Sequence, residues 1–373
     1  MIPTSALQAL PRAATSVLLW QPCRKNPQPL LTAQFLHQEL PVRLTQTLKI
    51  VNASDVPFGM SNLPTFRRIS ENLLDDIARL SRTPRPMCQV QEVSFTEQLQ
   101  ELQHRQEINN QSIGHGLQEL LDISKKSIDL NDKRLKLFFD KYYTMALGTR
   151  TILSEHLSLH EHERSTVEKV SPLDVAKKAA FDARRVCATH YGLKAPEVEI
   201  ISKNTSVSPL YIEEYLHRSL FEILKNSFKA TAETHRNSTR LPPVKIVIVA
   251  GGEDVTIKVS DVGGGIPMSK IDNLWGYTYS EPSENGSFLA GKNTNYGMDI
   301  PLAGFGPGLS VARLISRYFG GDLNVVSMDG YGTDAYLHIF RQQSCLENVP
   351  EYEDTEILFE PEEPMQVAAL GSA

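Results

Sequence analysis

Apolar residues along the first half of the chain recur three and four positions apart from Leu31 to about Leu159, with few glycines and little strand-like alternation. That period predicts an all-helical region. One helix covers about Ala33 to Val51, and a second runs from about Ser70 to Leu80 with Leu73, Leu74, Ile77 and Leu80 on one face. A third carries Leu99, Leu102, Ile113, Leu117, Leu120 and Leu121. The fourth and most continuous starts at an N-cap near Asn131 and keeps Leu135, Phe138, Phe139, Tyr142, Met145, Leu153 and Leu157 in or near one stripe. Four such helices pack most economically as a bundle.

The period changes in the second half. Ser171-Pro172-Leu-Asp174 reads as a helix start, with an N-cap serine, proline at the first helical position and an acid in the first turn, and Gly192 closes that helix. Strand-like runs follow at Val198 to Ile201, Val244 to Val249, Val255 to Val259, Leu323 to Val326 and Ala335 to Ile339. Helical patterns lie at about Leu210 to Thr234 and Leu309 to Tyr318. Without regular β-α-β alternation, these elements predict an α+β sandwich in which helices cover one face of a mostly antiparallel sheet. Between Tyr277 and Gly304 no period is visible, and a loop of that length inside a compact domain is either a functional lid or disordered.

At 373 residues the chain exceeds the size at which a single core stops growing, so two domains are expected. The composition, 41% hydrophobic and 22% charged, is that of an ordinary globular protein, and no apolar run is long enough to span a bilayer. Net charge is -6 with dispersed basic residues, which argues against a nucleic-acid face and for protein or small-molecule partners. Cys23, Cys88, Cys187 and Cys345 form no C-x-x-C pair, so neither a zinc ribbon nor a disulfide framework is expected. The first acidic residue is Glu39; before it Arg12, Arg24 and Lys25 stand among apolar, Ser and Thr residues, the character of a mitochondrial presequence. Beyond Arg341 there is no Lys or Arg, and a run of acids from Glu347 to Glu363 reads as a solvated arm.

Chemistry concentrates in three stretches. Glu222, Lys225, Asn226 and Lys229 fall at i, i+3, i+4 and i+7, one polar stripe on a helix whose other face carries Leu220, Ile223, Leu224 and Phe228. In Lys258-Val-Ser-Asp261-Val-Gly-Gly-Gly265-Ile-Pro267 a strand ends in a carboxylate followed by three glycines. An acceptor-only carboxylate there can take the amine of an adenine, and the glycines let a base approach. Gly304-Phe-Gly306-Pro-Gly308-Leu309 supplies a backbone nest for phosphates, and Gly332-Thr333 opens the last strand.

Four boxes in that order resemble the GHKL ATP-binding superfamily, and more narrowly the mitochondrial pyruvate and branched-chain 2-oxoacid dehydrogenase kinases. The matching text includes Gln38-Glu-Leu-Pro-Val-Arg43-Leu, Phe139-Asp-Lys-Tyr-Tyr143, Glu222-Ile-Leu-Lys-Asn226-Ser-Phe-Lys-Ala-Thr231, Pro301-Leu-Ala-Gly-Phe-Gly-Pro-Gly-Leu309 and Ser327-Met-Asp-Gly-Tyr-Gly-Thr-Asp334. The resemblance implies a four-helix bundle over 30–168 that docks lipoyl domains, then a Bergerat-type α+β sandwich over 169–345 that binds ATP. A presequence at 1–25 and an acidic tail at 346–373 would flank them. It implies a homodimeric serine kinase of the mitochondrial matrix, acting on the E1 alpha subunit of a 2-oxoacid dehydrogenase complex and bound to the E2 lipoyl domain.

Carried over residue by residue, the resemblance makes Glu222 the group that orients or deprotonates the attacking serine, with Lys225 and Lys229 tuning it. Asn226 would hold Mg2+ on the ATP phosphates. Asp261 would bind the adenine amine, Gly263 and Gly265 the purine side, Thr333 the base through water, and Ser280, Glu281 and Gly304, Phe305, Gly306, Pro307, Gly308 and Leu309 the remainder of the nucleotide. Pyruvate dehydrogenase is favoured as substrate by Pro301-Leu-Ala-Gly-Phe-Gly and Ser327-Met-Asp-Gly-Tyr-Gly-Thr-Asp, while Tyr191-Gly-Leu-Lys-Ala-Pro196 and Leu159-His-Glu161 pull toward the branched-chain enzyme.

Two departures stand out. Where the family often has a histidine one turn before the base, this chain has Arg218, with His217 one residue earlier; an arginine there should keep Glu222 ionised. The tail has no Trp, so the Asp-Trp pair tied to tail exchange and lipoyl binding is missing. Both leave open a second reading, an ATP-binding scaffold on the complex that transfers no phosphate. Three weaker signals are set aside. Gly286 to Asn293 nearly spells a P-loop but lacks its Ser or Thr, and His156, His160 and His162 among glutamates read as a solvated helix end. His37-Gln-Glu-Leu-Pro faintly resembles a phospho-acceptor box.

Overall fold

The computed structural model describes residues 28–53, 56–123, 132–190, 195–203, 207–277 and 308–341. The helical half contains α1 (Pro29–Asn52), a 3-10 turn (Pro57–Asn62), α2 (Pro64–Arg82), α3 (Gln89–Ile123) and α4 (Lys133–His162). The expected apolar stripes face inward: Leu36, Leu40, Leu73, Ile77, Leu99, Ile113, Phe138 and Tyr142 are all buried in one core. Helix α4 is capped by Asp132, whose carboxylate accepts from the N–H of Arg134 at 2.7 Å, while Asn131 lies outside the described residues. Helix α1 tolerates Pro41 in its interior because proline removes only one donor, and the hydroxyl of Thr45 donates to the Pro41 carbonyl at 2.6 Å.

One expectation for this half is corrected. His156 and Glu155 are not at a solvated helix end but have 0% exposure. The His156 ring is bonded on both sides, to the Thr32 hydroxyl of α1 at 2.6 Å and the Thr96 hydroxyl of α3 at 2.8 Å. Glu155 accepts from the Ser165 hydroxyl and from the Thr166 N–H at 2.7 and 2.8 Å. Of the three histidines, only His162 is exposed.

The second half adds β1 (Val167–Lys169), α5 (Pro172–His190), β2 (Val198–Lys203), β3 (Leu210–Ile212), α6 (Glu213–Thr234), β4 (Val244–Ala250) and β5 (Asp254–Ser260). After a short helix α7 (Met268–Ile271) and a 3-10 turn (Asp272–Trp275) come α8 (Gly308–Tyr318), β6 (Asp322–Met328) and β7 (Gly332–Phe340). Leu210 to Ile212, expected to open the helix, are instead a strand paired antiparallel with β1. Their N–H and C=O groups are satisfied across the chain rather than along it, a tertiary choice invisible to local periodicity.

The main sheet runs β2-β4-β5-β7-β6, with β2 and β4 parallel and every other pair antiparallel. Register aligns apolar residues in rows across it: Ile248 faces Ile257, which faces Leu337, which faces Leu323. Helices α5, α6 and α8 cover that apolar face. The opposite face carries no helix among the described residues and presents polar groups such as Lys258, Asp334 and Tyr336, together with exposed Ile201, Val326 and Met328.

The halves meet along α4 and α8. Gly148 of α4 leaves room for the Tyr318 hydroxyl of α8 and the guanidinium of Arg43, where an added Cβ would stand 2.6 and 2.8 Å away. Arg43 is itself buried and paired with Glu39 at 3.2 Å. Nearer the start of α4, the Tyr277 hydroxyl donates to Asp140 at 2.6 Å, and its ring packs against Phe139 and Tyr143.

Candidate active site

The centre of α6 holds Glu222 with 2% exposure. An isolated carboxylate at that depth would be untenable, and two cations on the same helix compensate it. Arg218, one turn earlier, donates through Nη2 to Oε1 at 2.9 Å; Lys225, three residues later, donates through Nζ to Oε2 at 2.5 Å. Burial alone would push the carboxyl up, but the ammonium of Lys225 and the guanidinium of Arg218 outweigh it and hold it below the ordinary carboxylate range. The expected effect of Arg218 is therefore present.

A third neighbour closes the carboxylate in. Gly308, the first residue of α8, passes so close that an added Cβ would lie 2.1 Å from Oε2. Any side chain there would push the Glu222 carboxylate from its place, and the helix that starts at that point brings its positive end to the carboxylate. Gly308 was expected in the phosphate turn; its backbone also forms one wall of the acid's pocket.

Asn226 lies one turn beyond Glu222 and is exposed, with no hydrogen-bond partner among the described residues. Its amide is free to bind phosphate or a phosphate-bound cation. Lys229 extends the stripe but pairs with Glu233 at 3.9 Å rather than with Glu222. His217 points elsewhere, toward Asp182 of α5 at 3.0 Å.

The strand-end carboxylate is arranged asymmetrically. Oδ1 of Asp261 accepts the N–H of Gly263 at 2.9 Å and of Thr333 at 3.2 Å, whereas Oδ2 receives no backbone donor. A carboxylate held in this way presents one oxygen for an exocyclic amine, which is what an adenine offers. Asp261 is 9% exposed, and burial raises its carboxyl despite bonds from the Gly263 N–H, the Ser227 hydroxyl and the Thr333 N–H. Sequence reasoning missed Ser227; its position beside Asn226, five residues after Glu222, was the available signal.

The glycine turn is fixed by packing on both sides. An added Cβ on Gly265 (φ 71°) would lie 1.9 Å from the Met328 carbonyl, so this glycine is already required by the protein's own backbone. The Thr234 hydroxyl of α6 bonds to the Gly263 carbonyl at 2.8 Å, and the Ile266 N–H bonds to the Ser327 hydroxyl at 2.7 Å. Thr333 joins the site through Asp261 and shares a 2.9 Å bond with Ser327. The structure therefore brings together Glu222, Lys225 and Gly308 at one point, and Asp261, Gly263, Gly265 and Thr333 at another, with Asn226 on the helix between. Leu309 is half-buried at the start of α8. Ser280, Glu281, Gly304, Phe305, Gly306 and Pro307 lie outside the described residues.

The donor set fits a nucleotide with a divalent cation on its phosphates: an acceptor for an amine at one end, a neutral amide and a lysine at the other. Among the described residues no cluster of three His, Cys, Asp or Glu could hold a metal by itself, so a cation here would come with the phosphates.

Residues 15–179 match the family model described as mitochondrial branched-chain alpha-ketoacid dehydrogenase kinase, and residues 211–343 match histidine kinase-, DNA gyrase B-, and HSP90-like ATPase. The chain is 35% identical over 335 residues to a mitochondrial [pyruvate dehydrogenase (acetyl-transferring)] kinase of Arabidopsis thaliana, covering 86% of this chain and 87% of that one. It is 32% identical to isozyme 4 of that kinase from Mus musculus, over 82% of this chain and 75% of the relative. A third relative of the same description, from Schizosaccharomyces pombe, is 38% identical over 56% of this chain and 51% of its own length.

Proposed function

The chain belongs to the family of mitochondrial pyruvate dehydrogenase kinases, and from that premise we propose that it phosphorylates a serine of the E1 alpha subunit of pyruvate dehydrogenase in the mitochondrial matrix. It is an ATP-using protein kinase with the family's two-part architecture, helical region first and ATPase fold second. The observation that carries the reading is the pairing of a buried, ionised Glu222 with an exposed Asn226 on the one helix whose Ser227 and Thr234 reach the Asp261 turn.

In this reading Asp261 accepts the adenine amine through Oδ2, and the backbone around Gly263 and Gly265, with Thr333, shapes the base pocket. Asn226 would hold a Mg2+ ion on the ATP phosphates, whose charge the ion would neutralise. Lys225 turns toward the phosphates. Glu222 then accepts the proton of the serine hydroxyl as that oxygen forms its bond to the γ-phosphorus and the bond to ADP breaks. Such chemistry depends on positioning and charge rather than on covalent catalysis, so losing one element costs orders of magnitude in rate. Lys229, beside Glu233, helps balance charge at the rim.

The helical region would dock the E2 lipoyl domain, and the uncovered sheet face with Ile201, Val326 and Met328 supports a homodimer. The intervals 30–168 and 169–345 serve as its two domains. No helix among the described residues is long and apolar enough to cross a membrane. Incubation of the purified chain with E1 of the pyruvate and of the branched-chain complex and labelled ATP tests the proposal. Serine-linked label on pyruvate dehydrogenase is expected, and Glu222→Gln should abolish it while ATP binding persists. Label on the branched-chain E1 alone would move the substrate assignment, and ATP binding with no transfer to either would make the chain a scaffold.

A further inference from the structure

The two cations on Glu222 are not equivalent. Arg218 is 11% exposed and holds Oε1 at 2.9 Å, while Lys225 is 25% exposed and holds Oε2 at 2.5 Å. Gly308 approaches Oε2, not Oε1. Each carboxylate oxygen thus has its own environment: Oε1 faces a buried guanidinium, and Oε2 faces a lysine that water can reach and a glycine backbone where α8 begins. No other charged group among the described residues acts on this carboxylate; Asp182 of α5 is turned to His217, and α8 contributes only its backbone here.

We infer that Arg218 is a positioning residue that permanently occupies Oε1 of Glu222, leaving Oε2 as the atom that takes the serine proton once Lys225 exchanges its partner for phosphate. The inference rests on the reading of Glu222 as the base and assigns the division of labour within it. A buried arginine is suited to the permanent role. Its rigid, planar guanidinium is held deep in the fold and donates to Oε1 through Nη2, a charge-assisted bond with a fixed direction that a freely rotating ammonium lacks. Lys225, with a compact charge on a flexible stem and partial access to solvent, is suited to the exchangeable one. The Arg218 Nε has no hydrogen-bond partner among the described residues, so its hold on this site comes through Nη2 and Oε1. As the pocket stands, both oxygens are engaged, and the base is masked until Lys225 leaves.

The test is the full-length chain with Arg218→Ala and Arg218→Lys, assayed for kcat, for the KM of ATP and for ATP affinity, with ethylguanidinium and ethylammonium as added probes. The expected result is a kcat about 10- to 100-fold lower in Arg218→Ala, in line with loss of a hydrogen bond to a charged group, with the KM for ATP within about 2-fold of wild type. Ethylguanidinium should restore at least about 5-fold of the lost rate, and ethylammonium at the same concentration should not. Arg218→Lys should be rescued by neither and should retain ATP binding. The inference is overturned if Arg218→Ala keeps kcat within about 2-fold of wild type, or if its kcat falls with ATP affinity intact and neither cation restores it. Should Arg218→Ala fail to bind ATP, Arg218→Lys decides: wild-type kcat there would equally sink the assignment. Glu222→Gln separates the two levels, because transfer by that variant would remove Glu222 as base and with it the proposed function's mechanism, whereas a dead Glu222→Gln beside a fully active Arg218→Ala would remove only this inference.

Discussion

Asp261 has one carboxylate oxygen committed to two backbone N–H groups and the other without a backbone donor among the described residues. Asp261→Asn should therefore preserve the turn, with the amide oxygen in the place of Oδ1, but set an NH2 donor against the adenine amine. ATP affinity should fall about 10- to 100-fold with thermal stability nearly unchanged, measurable by calorimetry and a melting curve on the same samples. Gly308→Ala should act on the other end of the site. Its methyl would collide with Oε2 of Glu222, so either α8 shifts or the acid leaves its rotamer, and kcat should drop while ATP still binds. At this scale the sequence says much about which side chains are candidates and little about what they touch. Glu222, Asn226 and Asp261 are recognisable from residue type and spacing, and the i, i+4 step already places Arg218 beside Glu222. The Gly308 contact joins residues far apart in the chain and leaves no local signature, and Ser227 offers only its position beside Asn226 as a sign of its bond to Asp261.

Helices α1, α3 and α4 are tied through His156, which has a threonine hydroxyl on each ring nitrogen. Burial, aided by nearby His160, pushes this imidazole from 6.5 down to about 4. The unfolded chain thus gains a proton near pH 6.5 that the folded chain refuses until about pH 4. Stability from this residue is full above pH 6.5 and declines as pH falls toward 4, by about 3 kcal/mol in total. Urea unfolding at pH 7 and pH 5 should show wild type losing about 2 kcal/mol more than His156→Gln over that interval; equal losses would mean that the ring takes up its proton over the same pH range folded and unfolded. The helices themselves were legible because a 3.6-residue period repeated over 19 or more residues is hard to mistake. Strands β1 and β3 were not, since three residues carry no period and their pairing depends on chain brought from opposite sides of α5. His156 was misassigned for a related reason: a helix end has a buried side, and the partners Thr32 and Thr96 come from elsewhere.

Across the whole molecule, the two-lobed plan followed from the change of period near residue 170, but the join between lobes did not. Tyr277, Asp140, Gly148, Arg43 and Tyr318 meet there from separate parts of the chain. Tyr277→Phe should leave the nucleotide contacts intact and remove the 2.6 Å bond to Asp140, loosening that join; faster amide exchange at the start of α4 and around Trp275, without loss of ATP binding, is the expected outcome. Gly148→Val should have the larger effect, because its side chain would occupy the space of the Tyr318 hydroxyl and the Arg43 guanidinium.

That substitution reaches further than its location implies. Helix α8 has 11 residues and so is a rod about 16 Å long, with Tyr318 against the helical lobe at one tip and Gly308 against Glu222 at the other. A tilt of about 4° about one tip displaces the other by roughly 1 Å, a large shift for a close-packed contact such as that of Gly308 with the carboxylate. In mechanical terms α8 is a crossbar with a bearing at each end, and Gly148→Val should lower kcat from the far bearing without touching nucleotide or base. Unchanged kcat in a well-folded Gly148→Val would show that the crossbar bends instead of turning.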